Sequence, residues 1–155
     1  MTPDETTNEH HTALPSWAKG MHTTVAATEL LIRGFHGRFT GTEQPWIRRR
    51  PSHDGQFRGA WIDFENLPDH AGPLSSGERA YLLLAASIGS EQVNVKLSDE
   101  ISRLDREQLV LVLAAIAHAA GSHEHSGLTF DSDGRPTGFT RLASVYPWPE
   151  QRDTA

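Results

Sequence analysis

Cysteine is absent from the sequence, and lysine occurs only twice, against twelve arginines. The absence of cysteine excludes a disulfide framework, a zinc–thiolate site and a thiolate nucleophile. The first residues are polar and acidic and lack the layout of a secretion signal. The longest apolar run, Leu109–Ala117, has about half of the ~20 residues that a membrane-spanning helix needs. We therefore expect a cytoplasmic protein that does not span a membrane.

Common catalytic and nucleotide-binding motifs are absent as well. The sequence contains no GxSxG, HExxH, GxxxxGK[ST] or GxGxxG pattern, so no known template places a nucleophile, a metal-bound water or a phosphate loop. No sequence context marks one of the nine histidines as a general base. These absences favour a non-enzymatic protein over an enzyme.

Three segments carry the start and stop signals of helices. Ser75 with Glu78, and Asp105 with Gln108, have the capping-box spacing in which a side chain and a backbone amide satisfy each other in both directions. A glycine follows each predicted helix, where the chain needs a residue that tolerates left-handed backbone angles. The predicted helices are Thr24–Arg33, Ser76–Ile88 and Arg106–Ala120.

The third predicted helix, Arg106–Ala120, is expected to form the centre of the core. His118 is the only polar residue within Leu109–Ala120, and a helix that is apolar on every side has to be surrounded by protein. Its five alanines would let neighbouring backbones approach closely. We expect this helix to be buried along most of its length.

The remaining segments complete a mainly α prediction, with α+β as the alternative. Residues 35–64 contain both helical and strand spacing, and periodicity does not separate the two. The Asp-Gly turn at Asp133 lies between two apolar segments and predicts a C-terminal β-hairpin at about 128–145. We expect one domain over residues 16–149, a disordered tail over 1–15 and a frayed end over 150–155.

A histidine cluster is the strongest chemical motif. His118, His123, Glu124 and His125 lie within eight residues, and imidazole and carboxylate groups suit zinc or another divalent first-row metal. We consider His118, His123 and His125 as metal ligands, with Glu124 as a base if the protein is a metal-dependent enzyme. The spacing matches no standard template, so the alternative is a histidine that interacts with the helix dipole beside solvated loop histidines.

Arginines and aromatic residues indicate a second possible surface. Six arginines between Arg33 and Arg58 oppose two carboxylates, a pattern that suits a nucleic-acid-associated regulator or ordinary surface arginines. The sequence pI of about 5.8 argues against nucleic acid. Our leading hypothesis is an interaction or accessory protein that binds another protein, or a second copy of itself, through an aromatic surface. The residues proposed for that surface are Trp46, Arg48, Arg49, Arg50 and Trp148.

The strings LSSGERAYLLLAASIG and VNVKLSDEISRLDREQLVLVLAAIAHAAG, between Pro73 and Gly121, resemble an uncharacterised family of small actinobacterial proteins. The segments AATELLIR and Trp46–Arg49 are similar to that family's amino-terminal half. The resemblance covers roughly Ala26 to Gly121, and Gly34–Pro45 departs from it as an insertion. It implies a helical fold and carries no activity over to this chain.

Overall fold

The computed structural model describes residues 3–51, 54 and 57–152. The fold is predominantly helical, with two small antiparallel strand pairs, as predicted. The helices are α1 (Pro3–Ala18), α2 (His22–Arg33), α3 (Leu67–His70), α4 (Ser76–Gly89), α5 (Leu97–Ile101), α6 (Arg106–Ala119) and α7 (Pro149–Arg152). The strands are β1 (Ile47–Pro51), β2 (Phe57–Ile62), β3 (Ser126–Phe130) and β4 (Pro136–Arg141). Short 3₁₀ segments cover Gly34–Thr40 and Ser122–Glu124.

Both predicted capping boxes are confirmed at the starts of α4 and α6. The Ser75 hydroxyl accepts from the Glu78 amide at 3.3 Å, and the Glu78 carboxylate accepts from the Ser75 amide at 3.2 Å. The Asp105 carboxylate and the Gln108 side chain make the same reciprocal pair, at 2.8 and 3.1 Å. Both helices therefore begin where local hydrogen bonding satisfies the free amides of their first turns.

Helix α2 occupies the centre of the core. It packs against α1, α4 and α6, and Ala26, Ala27, Leu30 and Leu31 are fully buried. The phenol of Tyr81 on α4 donates a 2.6 Å hydrogen bond to the carbonyl of Leu30. Ala26 and Ala27 are small, so neighbouring helices can approach α2 closely. This close packing brings the start of α2 beside the end of α6.

Helix α6 is not buried on every side, so the prediction that it forms the centre of the core is wrong. Val112, Ala114, Ala115 and Ala117 are buried, because its alanine-rich face lies against α2. The opposite face exposes leucine and isoleucine side chains at helical spacing, at positions 109, 113 and 116. No helix in the described part of the chain has the length and apolar character needed to cross a membrane.

The amino-terminal segment is helical from Pro3, so the predicted disorder does not hold for the described residues. Leu14 is buried in the core, and the buried His10 ring makes a 2.7 Å hydrogen bond from Nε2 to the carbonyl of Thr40. Between His10 and Ala18, only His10, Leu14 and Ala18 are buried. At the other end, α7 covers part of the segment expected to fray; residues 1–2 and 153–155 lie outside the described part.

The segment that periodicity could not assign contains a 3₁₀ turn and a β-hairpin. Strands β1 and β2 pair in the register Ile47↔Ile62, and Trp46 and Ile62 are both buried. The predicted C-terminal hairpin is confirmed as β3 and β4, with Leu128 opposite Phe139. In its turn, the Asp131 carboxylate accepts from two backbone amides at 2.9 Å, which is ordinary turn chemistry.

Candidate metal centre

Three histidines from separate elements converge at one end of the helical core. His22 begins α2, His118 lies in the last turn of α6, and His123 belongs to the 3₁₀ segment that follows. One ring nitrogen from each histidine can be chosen so that all three lie within 4.8 Å of one another. The packing of α2 on α6 brings the start of one helix beside the end of the other.

The imidazole rings are close enough to share one ion once the side chains turn so that their in-plane lone pairs converge. The rings of His118 and His123 stack with centroids 4.1 Å apart, and His22 meets His123 edge-on at 4.9 Å. Tetrahedral zinc with Zn–N bonds of about 2.0–2.1 Å places ligand nitrogens roughly 3.3 Å apart. The nitrogen atoms therefore need to approach one another by at most about 1.5 Å, which side-chain torsions can supply.

A glycine turn positions His123 beside α6. Gly121 has φ +72°, a left-handed conformation that costs other residues about 1–2 kcal/mol. Its amide donates to the carbonyl of His118 at 2.8 Å and closes the helix. The next residue, Ser122, fixes the loop through its hydroxyl, which lies 3.1 Å from the Ser144 hydroxyl. The turn thus returns the chain so that His118 and His123 face each other.

The two nitrogens of His123 have different surroundings. Nδ1 is buried and has no hydrogen-bond partner among the residues that the structure describes, although a buried polar atom normally has one. Nε2 lies 3.6 Å from a carboxylate oxygen of Glu124, and the other oxygen of Glu124 accepts from Arg141 on β4 at 2.5 Å. This arrangement leaves Nδ1 as the nitrogen for a metal, with a carboxylate behind the ring.

The environment of His118 favours the neutral imidazole that binds metals. Burial is the main cause that lowers the pKa of His118 to about 4, and the nearby His123, His22 and Arg33 contribute to the same shift. The ring is therefore uncharged at neutral pH and can offer a lone pair without first losing a proton.

His125 lies outside this cluster, although the sequence suggested it as a ligand. Its side chain is exposed, and its carbonyl accepts from the Leu142 amide at 2.9 Å, which joins the two ends of the C-terminal hairpin. His22 takes the third place instead. Sequence reasoning missed His22 because it is far from the other two along the chain, and only the packing of α2 on α6 brings it near.

A cavity of about 620 Å³ opens beside the cluster. His118 and His123 belong both to the histidine cluster and to the cavity wall. Glu29 and Arg33 provide its carboxylate and guanidinium groups. The rest of the lining is mostly apolar: Val25, Ala114, Ala143, Tyr146, Pro147 and Trp148, with the hydroxyl of Ser144.

The tryptophans predicted to form an exposed partner surface are buried. Trp46 is 2% exposed and Trp148 is 5% exposed, so the prediction of an exposed aromatic surface is wrong for these two rings. The indole N–H of Trp46 donates to the carbonyl of Phe39 at 2.8 Å, and Trp148 packs beneath the guanidinium of Arg33. Both rings cover the helical core at sites where helix periodicity gives no signal.

The arginine-rich stretch is divided among several partners. Arg33 pairs with Glu29 and Glu150, and Arg38 pairs with Glu78. On β1, Arg48 lies 3.3 Å from a carboxylate oxygen of Asp63. Nearby, Arg49 and Arg50 are exposed, and the guanidinium of Arg50 lies 5.8 Å from the centre of the Trp61 ring. Folding thus places acidic residues beside Arg33, Arg38 and Arg48, as expected for ordinary surface arginines.

In comparisons with known proteins, no family model, no curated protein and no solved structure matches the chain significantly. The resemblance to an actinobacterial family stays a prediction.

Proposed function

We propose that this protein binds a divalent first-row metal ion, with zinc as the reference case, through His22, His118 and His123. The observation that carries the proposal is the convergence of three imidazole nitrogens within 4.8 Å. Three imidazoles match the preferred ligand chemistry of zinc and copper, and three protein ligands are the number found in catalytic zinc sites.

The surroundings of His123 give separate support. A metal ion would be the missing partner of its buried Nδ1. Metal-bound histidines commonly place a carboxylate behind the ring, which orients it and raises its basicity. Glu124 occupies that place and is itself held by Arg141. We place this function in the cytoplasm, since a cysteine-free chain suits a reducing compartment.

Calorimetric titration of the untagged full chain with Zn²⁺ tests the proposal. The protein is first stripped with a chelator and dialysed, so that every binding event is observed. We expect one ion per chain with micromolar or tighter affinity. If the wild-type chain binds Zn²⁺ no better than free imidazole does, there is no metal centre.

The charge of Glu124 is predicted to strengthen Zn²⁺ binding through the His123 ring. The Glu124→Gln variant keeps the shape of the side chain but removes the charge behind His123, so Zn²⁺ affinity should fall by about tenfold. Glu107→Gln, an exposed position in the first turn of α6, is the matched control and should bind as the wild type does. Equal affinities in both variants would show that Glu124 does not support the site.

A second candidate function, binding of another protein molecule, is favoured by the C-terminal hairpin. Phe139 is 78% exposed, and its cross-strand neighbour Leu128 and the nearby Phe130 are exposed as well. A two-stranded hairpin also has outer edges that can accept a further strand. This surface differs from the predicted one, whose tryptophans are buried. We do not extend the proposal to nucleic acid, because Arg33, Arg38 and Arg48 already pair with carboxylates.

Self-association is the form of this second candidate that can be tested with the chain alone. Sedimentation of the wild type at increasing concentration should show a dimer, and Phe139→Ser should shift the equilibrium to monomer by removing an exposed aromatic anchor. A wild-type chain that stays monomeric at high micromolar concentration would contradict self-association through the hairpin.

A further inference from the structure

We propose that the metal centre is an open site whose additional ligand is a small aryl carboxylate, with its carboxylate on the ion and its ring in the adjoining cavity. This inference rests on the proposed function and extends it by naming the class of ligand.

The histidines leave both a coordination position and a charge to be satisfied. Three imidazoles fill three positions of a tetrahedral ion, so the fourth is free for water or another ligand. Because imidazole is neutral, the full +2 charge of the ion remains at the site. The carboxylate beside His123, that of Glu124, is already paired with Arg141. An anionic oxygen donor is therefore the favoured fourth ligand.

The fourth coordination position of the ion can face the cavity. Since His118 and His123 are shared between the cluster and the cavity wall, a molecule in the cavity lies next to the ion. The volume of about 620 Å³ falls within the range of pockets that hold small ligands. The walls contributed by Tyr146 and Trp148 are aromatic, so a flat apolar body fits them better than a charged chain.

The other charges of the cavity are already satisfied within the protein. Arg33 donates to Glu29 at 2.7 Å and also pairs with Glu150. Its guanidinium lies 4.6 Å from the centre of the Trp148 ring, a cation–π distance. The two carboxylates together outweigh the single charge of Arg33, so Arg33 offers no net attraction and the +2 ion is the group that attracts an anion. Arg33 instead positions the Trp148 ring that forms one wall.

Cobalt substitution separates this inference from the proposed function. Co²⁺ takes the place of zinc in nitrogen sites, and its visible absorption reports the number and type of its ligands. We would load the full chain with Co²⁺ and titrate it with benzoate and, separately, with acetate. Both anions should change the spectrum, and benzoate should bind at least about tenfold tighter because its ring is buried in the cavity.

A cavity-filling variant tests the location of the ring. Ala143 lines the cavity and is exposed, so Ala143→Trp can fill the space without disturbing the core. It should keep the Co²⁺ spectrum and lose the preference for benzoate over acetate. His125→Ala, outside both cluster and cavity, should change neither property.

Each result of these titrations tests either the metal centre itself or the placement of the aryl carboxylate. Absence of a Co²⁺ spectrum in the wild type would contradict the proposed function itself. A Co²⁺ spectrum that neither anion changes would show a saturated ion and overturn the open site. Equal affinity for the two anions, or an Ala143→Trp variant that still prefers benzoate, would overturn the placement of the ring in the cavity.

Discussion

The His118→Ala variant is expected to lose Zn²⁺ affinity by at least about 100-fold, because removal of a ligand costs more than the ~10–100-fold loss seen when a group behind a ligand is removed. His118 contributes a neutral, half-buried imidazole from a rigid helix. His125→Ala should leave the affinity within about twofold, since His125 is exposed and outside the cluster. Calorimetric titration of the wild type, His118→Ala and His125→Ala with Zn²⁺ measures the difference in affinity.

Substitution of a second ligand, His22, tests whether the loss of Zn²⁺ binding is caused by unfolding. His22 is exposed at the start of α2, so His22→Ala leaves the core intact and should weaken Zn²⁺ binding to a similar extent. Far-ultraviolet circular dichroism should show wild-type helix content in all variants. If His22→Ala binds as the wild type does while His125→Ala loses affinity, the ligand set is the one suggested by the sequence and not the one in the structure.

The second large effect concerns stability. Leu31→Ala on α2 should lower the free energy of unfolding by about 2–5 kcal/mol, because the side chain is fully buried and leaves a cavity. The same change at Leu113 on α6 should cost no more than about 1 kcal/mol, since that side chain is 39% exposed. The two variants are matched in chemistry and in helical context, so the comparison isolates burial.

Urea titration followed by circular dichroism measures both values. The result bears on which helix is the centre of the core, because the apolar composition of α6 alone would rank Leu113 as the costlier substitution. Equal losses, or a larger loss for Leu113→Ala, would contradict the central position of α2.

The features that sequence predicted well depend on neighbours along the chain. The capping boxes at Ser75 and Asp105 and the glycine turn at Gly121 follow from side-chain and backbone hydrogen bonds within a few residues. The C-terminal hairpin has the same local character. The burial of α6 was predicted poorly, because composition shows that a helix is apolar but not which of its faces meets a neighbour.

The candidate site was predicted in part for the same reason. His118 and His123 are joined by a single turn, so their closeness is visible in the sequence. His22 enters only through the packing of α2 on α6, and no local pattern marks it. Nearness along the chain also predicts His125 as a ligand, yet the chain enters β3 directly after it and its side chain is exposed.

Trp46 and Trp148 show a further limit. Both lie in segments rich in proline or glycine, where large aromatic residues can either cover the core or form an interface. Their burial depends on distant partners, the Phe39 carbonyl for Trp46 and the Arg33 guanidinium for Trp148. Composition identified these residues as notable, and only the tertiary contacts decided between the two roles.

The ligand set is tested most directly by X-ray absorption at the zinc edge on the loaded, untagged chain. We predict a first shell with three imidazole nitrogens at about 2.0–2.1 Å and one light-atom ligand from solvent or a small anion. The outer-shell scattering of imidazole rings should fit three histidines and lose one in His22→Ala. A first shell of oxygens alone, or one unchanged by His22→Ala, would contradict a centre built from His22, His118 and His123.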